Sequence, residues 1–397
     1  MRSLFLVILA CSAMAQSGPR IQISHTTESL RGVSTVSRLV AWASGTHGTY
    51  LRTVDGGRNW SAAQVPDAAA LDFRGVAAFS ADEAFLMSSG PGEQSRIYHT
   101  GDAGHHWQLQ FTNHHPKGFF DCIVFWDAMH GIVLGDPIPD DSGKLKFELL
   151  ATDDGQSWHA MDTSRLPDAL NGEGAFAASN SCLAILNGSV RKTVPSGAGH
   201  PGGSEPASAA ALPDPNIWFA TGGKVARVFH SPDRGQSWQA FDTPVMHGPD
   251  SAGIFSIAFR DALHGVIAGG DYKQPKKDGP NLAFTEDGGT TWRLSTITPQ
   301  AYFSAVAYDQ RVNQAAAQKK AAEIAAEAAG KKIRVKPIAP QRLFIVGEDF
   351  IFDFELPNNP HRIGGKKKQG YTFNAVSPYP EGGALATGPK GTIAFIP

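Results

Sequence analysis

The chain has 397 residues, 43 of them Gly, 26 Pro and 8 Trp, and its 35 basic and 37 acidic side chains leave a net charge of -2. So turn-rich a composition excludes a mostly helical protein, and a near-neutral balance gives no bulk attraction toward nucleic acid or an anionic membrane. The length suffices for one large all-β ring.

Residues 1–15 carry Arg2, an apolar run over 4–9, and Ala13-Met14-Ala15, the three zones of a secretory signal. Cleavage is expected after Ala15, giving a secreted or periplasmic protein; a competing reading makes Ile8-Leu9-Ala10-Cys11 a lipoprotein box with Cys11 lipidated, although its apolar run is short. Without the leader only Cys122 and Cys182 remain, both in strand-like apolar runs. They read as buried thiols before they read as a disulfide, and export leaves pairing open. No later segment approaches the roughly 18 uninterrupted apolar residues of a membrane span.

An octet then recurs five times, with a hydroxyl residue at its head in four copies, Asp two places on, Gly two after that and Trp three later. The copies hold Asp55 and Trp60, Asp102 and Trp107, Asp153 and Trp158, Asp233 and Trp238, and Asp287 and Trp292. The spacing inside each copy is fixed while the interval between copies varies, so each octet is one element of a larger repeated unit. Asp and the hydroxyl can bond the turn's own amides, Gly supplies a positive φ, and Trp opens the returning strand as an apolar anchor. These aspartates are therefore read as turn staples and not as catalytic acids.

Ahead of the octets lie paired apolar strands. They pair 30–33 with 39–45, 73–79 with 84–87, 119–125 with the segment opening at 127–131, 175–176 with 217–220, and 254–259 with the segment opening at 261–265. Two more pairs follow the last octet, 302–306 with 343–347 and 371–376 with 384–388. The count predicts an all-β fold, a seven-bladed β-propeller of four-stranded antiparallel blades, as a single domain over 16–397. The final strand, from Thr392, is only the third of its blade, so residues 20–24 are expected to close the ring as its outer strand. Two insertions interrupt the pattern, a Pro/Gly/Ser/Ala-rich loop at 191–215 and a short helix at 312–330.

Propeller ligands usually occupy the face opposite the octet turns, where the loops lead into each blade. Residues expected there are Arg31, Arg74, His114, Asp136, Glu173, Asp271 and Tyr302. Arginines beside carboxylates and aromatics suit an anionic ligand or a peptide carboxylate; in the competing structural reading Arg31 and Arg74 pair with neighbouring acids and lock adjacent blades. Adjacent pairs such as His105-His106 and His114-His115 do not aim at one ion, and phosphate-loop and dinucleotide signatures are absent, so no metal, cofactor or catalytic residue is assigned. The enzymatic alternative is a secreted, sialidase-like glycoside hydrolase, which needs paired carboxylates or a Tyr with its base, and an arginine cluster. Against it, the lone Arg-Leu-Pro string, at Arg165, follows the third octet, where a sialidase would carry it before the first.

The octets are Asp-box (BNR) repeats, shared with sialidases and sortilin-type receptors. Together with Leu30-Arg31-Gly32-Val33, Phe73-Arg74-Gly75, Phe125-Trp126-Asp127-Ala128-Met129-His130-Gly131 and Phe259-Arg260-Asp261-Ala262-Leu263-His264-Gly265, they make the mature chain resemble the bacterial relatives of the photosystem II stability and assembly factor. That resemblance implies a secreted, non-catalytic propeller that binds a membrane-protein assembly intermediate, with binding-face arginines matched to Arg31 and Arg74. The implied partner is a protein or envelope component; the Asp-box kinship keeps a glycan open. Residues 349–355 and Lys366-Lys367-Lys368 depart from the family where a sixth octet would stand.

Overall fold

The computed structural model describes residues 18–186, 214–296, 301–311, 341–348, 350–356, 359–363 and 370–397. The predicted leader with Cys11, the predicted helix 312–330 and all but the last two residues of the predicted loop 191–215 lie outside them.

A short strand β1 (Arg20–Gln22) precedes β2 (Leu30–Thr35), β3 (Ala41–Gly45), β4 (Thr49–Thr53) and β5 (Ser61–Gln64). Next come β6 (Phe73–Ala78), β7 (Ala84–Ser88), β8 (Arg96–Thr100) and β9 (Gln108–Thr112), then β10 (Phe120–Phe125), β11 (Gly131–Pro139), β12 (Leu145–Thr152) and β13 (His159–Ala160). The middle of the chain holds β14 (Glu173–Gly174), β15 (Leu183–Ile185), β16 (Ile217–Ala220), β17 (Gly222–Gly223), β18 (Arg227–Ser231) and β19 (Gln239–Asp242). It is followed by β20 (Ala252–Phe259), β21 (Gly265–Asp271), β22 (Leu282–Thr285) and β23 (Arg293–Leu294). Last are β24 (Phe303–Tyr308), β25 (Gln341–Gly347), β26 (Phe350–Leu356) and β27 (Asn359–Ile363), and β28 (Ala375–Pro378), β29 (Ala384–Gly388) and β30 (Thr392–Ile396).

The innermost strands β2, β6, β10, β15, β20, β24 and β28 touch in turn around an axis, and the fold is an all-β propeller. Six sheets are four-stranded blades: β2–β5, β6–β9, β10–β13, β15-β16-β18-β19, β24–β27, and β28–β30 with β1 as fourth strand. The expected count of seven four-stranded blades is thereby corrected to six, because the remaining sheet has six strands in the order β14-β17-β20-β21-β22-β23. Its extra width comes from Gly222 and Gly223, which leave the line of β16 to pair with Glu173 and Gly174 on one side and Gly253 on the other. Glycine is what lets these backbones meet: a Cβ on Gly253 would lie 2.3 Å from the Gly222 Cα. The fourth blade's inner strand also shifts, from the expected 175–176 to Leu183–Ile185.

Burial falls from the axis outward. Strands β3, β7 and β21 are buried along their whole length, as befits strands covered on both faces, whereas β5 and β13 are fully exposed. The core is a series of layers between neighbouring blades. One layer sets Trp42 and Tyr50 of the first blade against Phe73, Leu86 and Tyr98 of the second. Another sets Leu30, Leu51 and Trp60 against Tyr379, Leu385 and Phe395, so the last blade closes on the first. Each fully buried Phe in these layers contributes roughly 1.5–3 kcal/mol. Strand β1 joins the seam by pairing antiparallel with β30, and Gln22 continues it, accepting from Trp60 Nε1 at 2.9 Å and donating to the Gly56 carbonyl at 3.1 Å.

Cys122 and Cys182 form a disulfide, and the expectation of two buried thiols is corrected accordingly. The bond ties β10 to the residue before β15, linking the inner strands of the third and fourth blades, and both cysteines are fully buried. Its two apolar runs are far apart in sequence but adjacent in the ring, which composition could not show. Beside it the Asn180 side chain pairs with both backbone groups of Ile123, at 2.7 and 3.0 Å.

Candidate functional site

The octet turns lie between the third and fourth strands of their units. In the first, Thr53 Oγ1 donates to Asp55 Oδ1 at 2.9 Å and accepts the Gly57 amide at 3.0 Å, and Asp55 takes the Asn59 amide at 2.9 Å and its side chain at 2.7 Å. The same set recurs at Asp102, Asp233 and Asp287. Two successive residues take positive φ in these turns: Gly56 and Gly57, Ala103 and Gly104, Arg234 and Gly235, Gly288 and Gly289. The first of each pair donates its amide to the unit's own inner connection, as Gly56 does to Leu39 at 3.0 Å and Gly288 to Leu263 at 2.8 Å. The amide and side chain of Asn59, with Thr53, hold Asp55 at about 2; His106 does the same for Asp102, also at about 2. Acids so placed have no proton to give at neutral pH.

The third octet is framed differently from its sequence pattern. Its staple is Asp154 and not Asp153: Thr152 Oγ1 bonds Asp154 at 3.2 Å and takes the Gly155 amide at 2.9 Å, while the Gln156 and Ser157 amides reach Asp154 Oδ1 at 2.8 Å. Only Gly155 has positive φ there, so this turn is one residue shorter. Asp153 is exposed and lies 3.7 Å from His159. The Trp of every octet still packs inward, Trp60, Trp158, Trp238 and Trp292 being buried and Trp107 partly so.

On the opposite face, five of the seven inner strands share one irregularity. Pairing with the next strand slips between Leu30 and Gly32, Phe73 and Gly75, Phe120 and Cys122, Ile254 and Ser256, and Phe303 and Ala305. Each slip is a β-bulge, which turns the extra residue out of the ladder. The bulged residues are Arg31, Arg74, Asp121, Phe255 and Ser304, all toward the end of the ring away from the octet turns, called its mouth below. Sequence reading found the two arginines but not their equivalents, although lining up the apolar residue that opens each inner strand would have shown all five.

Around this mouth charges alternate. Arg31 and Arg74 both reach Asp72 Oδ2, at 3.4 and 2.8 Å, bridging the first and second blades. Arg74 Nη1 also donates to the Ala177 carbonyl at 3.2 Å. Burial pushes the Asp121 carboxyl well above the usual range, with Asp136 adding to the rise, while Arg74 and the Ala177 amide oppose it. Three buried polar atoms here lack a partner: Arg31 Nε, Asp72 Oδ1 and Asp121 Oδ2. Across the mouth lies an aromatic cluster centred on the buried Phe255. Phe176 stacks on Phe255 at 4.0 Å, and Tyr302 meets Phe255 edge-on at 4.8 Å. Burial raises the Tyr302 hydroxyl above its ordinary range, so it stays a neutral donor. Phe176 and Ala177 thus touch Arg74 of the second blade, Asp121 of the third and Phe255 of the six-stranded sheet.

Not all the predicted residues meet here. Arg31, Arg74 and Tyr302 do, and Asp136 stands behind Asp121. His114 lies on the rim, exposed, 3.2 Å from Glu93. Glu173 is buried and occupied: Arg227 binds both its oxygens at 3.0 and 2.6 Å and Thr221 adds a bond at 2.7 Å. Asp271 caps its own turn through the Lys273 amide and the Gln274 side chain. Asp72, Asp121, Phe176 and Phe255 were missed, three of them because strand residues in apolar runs read as core.

A cavity of about 370 Å³ opens beside the mouth, where β14 and β17 widen the six-stranded sheet. Its walls include Phe176, Leu145, Pro137 and the backbones of Gly172, Gly174, Gly222 and Gly223. The glycines pack directly on their neighbours: a Cβ on Gly222 would come within 2.3 Å of Phe176 Cε2, and one on Gly174 within 2.9 Å of Asp136 Oδ1. Burial raises Asp136 to about 6, against one hydrogen bond at 3.0 Å from the Ala175 amide.

No protein-family model matches the chain, and no curated protein matches it. Among solved structures it is similar to YCF48 bound to D1 peptide, with 15% identity, 99% of each chain covered and a TM-score of 0.60. It is also similar to U3-55K, with 10% identity, 96% of this chain and 99% of that one covered and a TM-score of 0.57. The WD40 β-propeller domain of Doa1 gives 10% identity, 95% and 96% coverage and a TM-score of 0.52. At such identities the shared property is the fold. Among the described residues no helix is long and apolar enough to cross a membrane. The chain is a β-propeller.

Proposed function

We propose that this propeller is an exported, non-catalytic scaffold that holds a protein or envelope partner at the mouth of its channel, in the manner of a photosystem II assembly factor. The observation that carries the reading is the set of bulges that brings Arg31 and Arg74 to one carboxylate, Asp72, with Arg31 Nε and Asp72 Oδ1 left unmatched. Two guanidinium groups sharing one acid retain capacity for a second anion, such as a peptide carboxylate. The similar fold of YCF48 bound to D1 peptide supports a peptide ligand. The buried disulfide supports an oxidising compartment, in keeping with a leader at 1–15. The competing glycoside-hydrolase reading has one observation in its favour, the raised carboxyl groups of Asp121 and Asp136.

The test is recovery of a partner from cell envelopes of the source organism by the tagged protein and by an Arg31→Ala/Arg74→Ala variant whose circular dichroism matches the parent. A specific partner held by the parent and lost by the variant is expected. Equal recovery would overturn the site, and hydrolysis of a fluorogenic glycoside abolished by Asp121→Asn would overturn the scaffold.

A further inference from the structure

We propose that the cavity beside the channel mouth is a subsite for a cationic side chain, arginine or lysine, of a bound peptide, with Asp136 as its counter-ion. It rests on the reading of the protein as a peptide-binding scaffold and adds a second, oppositely charged pocket to the arginine pair.

Its shape and chemistry divide by region. Phe176, Leu145 and Pro137 give an apolar wall for a methylene stem, and the rest of the lining includes the backbones of Gly172, Gly174, Gly222 and Gly223. The volume lies at the lower end of small-ligand pockets, so one long side chain is a fitting occupant. Among the described residues Asp136 makes no ion pair, and only its Oδ1 is engaged, by the Ala175 amide at 3.0 Å. An acid that burial raises to about 6 without a cation near it is one that a cation would favour.

The other charged groups of the cavity do not fill that role. Glu173 is saturated by Arg227, and Asp250 on the far rim faces Lys224 at 3.1 Å. Lys117 lines the cavity without coming within ion-pair distance of Asp136. Behind Asp136 lie Asp121, itself raised by burial, and Glu148, raised by burial and held by Asn113 at 2.7 Å, with His115 lowering it. Arg74 is directed to Asp72 and Ala177. Asp136 is therefore the carboxylate of the cavity that has no cation and an oxygen to spare.

The experiment titrates the whole protein with N-acetylarginine amide, which carries a guanidinium and no carboxylate, and with the isosteric neutral N-acetylcitrulline amide, read by calorimetry and amide NMR shifts. Saturable binding of the arginine compound, about tenfold tighter than the citrulline one, is expected, with shifts at Gly174, Gly222 and Gly223. Asp136→Asn keeps an acceptor for the Ala175 amide and should fold, yet weaken arginine binding about tenfold. Wild-type affinity should fall as pH drops from about 7 to about 5 and Asp136 takes up a proton. Equal affinity for the two compounds, no saturation, or an unchanged Asp136→Asn would overturn the subsite. Because the probe lacks a carboxylate, such a failure is separate from loss of the arginine-pair reading, which partner recovery alone decides.

Discussion

The two faces of this propeller treat their carboxylates in opposite ways. On the octet face Asp55, Asp102, Asp154, Asp233 and Asp287 are each saturated by a hydroxyl and the amides of their own turn, and every one has its acidity increased. On the channel face Asp121 and Asp136 are half satisfied, have no ion-pair partner among the described residues, and have their acidity decreased. Local, repeated hydrogen bonding builds a turn; polar groups gathered from separate blades and left incomplete mark a surface prepared for something else.

The boundary between these classes is sharpest at Glu173, which sits on the channel face but behaves as structure. Glu173→Ala should destabilise the protein by about 3–5 kcal/mol in urea, since it strands the buried Arg227 cation. A small loss would return Glu173 to the ligand-binding set. Next in size is the response to pH. The folded Asp136 has its pKa raised to about 6 from 3.8, so its contribution to stability is present below the unfolded value and lost as pH rises through about 6. Asp55 is lowered to about 2, so its contribution is present above 3.8 and lost as pH falls toward 2. Thermal melts across pH should therefore show Asp136→Asn gaining on the wild type as pH rises from about 4 to about 6, and Asp55→Asn recovering its deficit only in stronger acid. Parallel curves would erase the contrast. The smallest effect tests the frame of the third octet: Asp154→Ala should lower the melting temperature by roughly 2 °C, and the neighbouring Asp153→Ala should leave it unchanged.

Much of the architecture was legible because it is local and repeated. The spacing from Asp to Trp encodes a turn whose donors and acceptors all lie within the octet, and apolar runs encode inner strands. Where legibility failed, the interaction was long-range or the local chemistry offered two frames. Thr152-Asp153-Asp154-Gly155 supplies two aspartates to one turn, and the hydroxyl of Thr152 decides between them. Cys122 and Cys182 meet only because their strands are neighbours in the ring. The six-stranded sheet depends on Gly222 and Gly223 meeting Gly174 and Gly253, a contact between three remote segments. For the site, Arg31 and Arg74 stood out as charges in apolar strands, while Phe255, equivalent in place, was hidden by being apolar.

The bulge shared by five of the seven inner strands separates specification from support. A residue expelled from the ladder makes no rung, so its identity can change while the strand on either side keeps its register and its core contacts. Arg31 and Arg74, half-buried and joined through Asp72, are thus the adjustable members of the set, whereas Asp121, Phe255 and Ser304 are buried and Ser304 also holds the Val346 and Phe373 carbonyls.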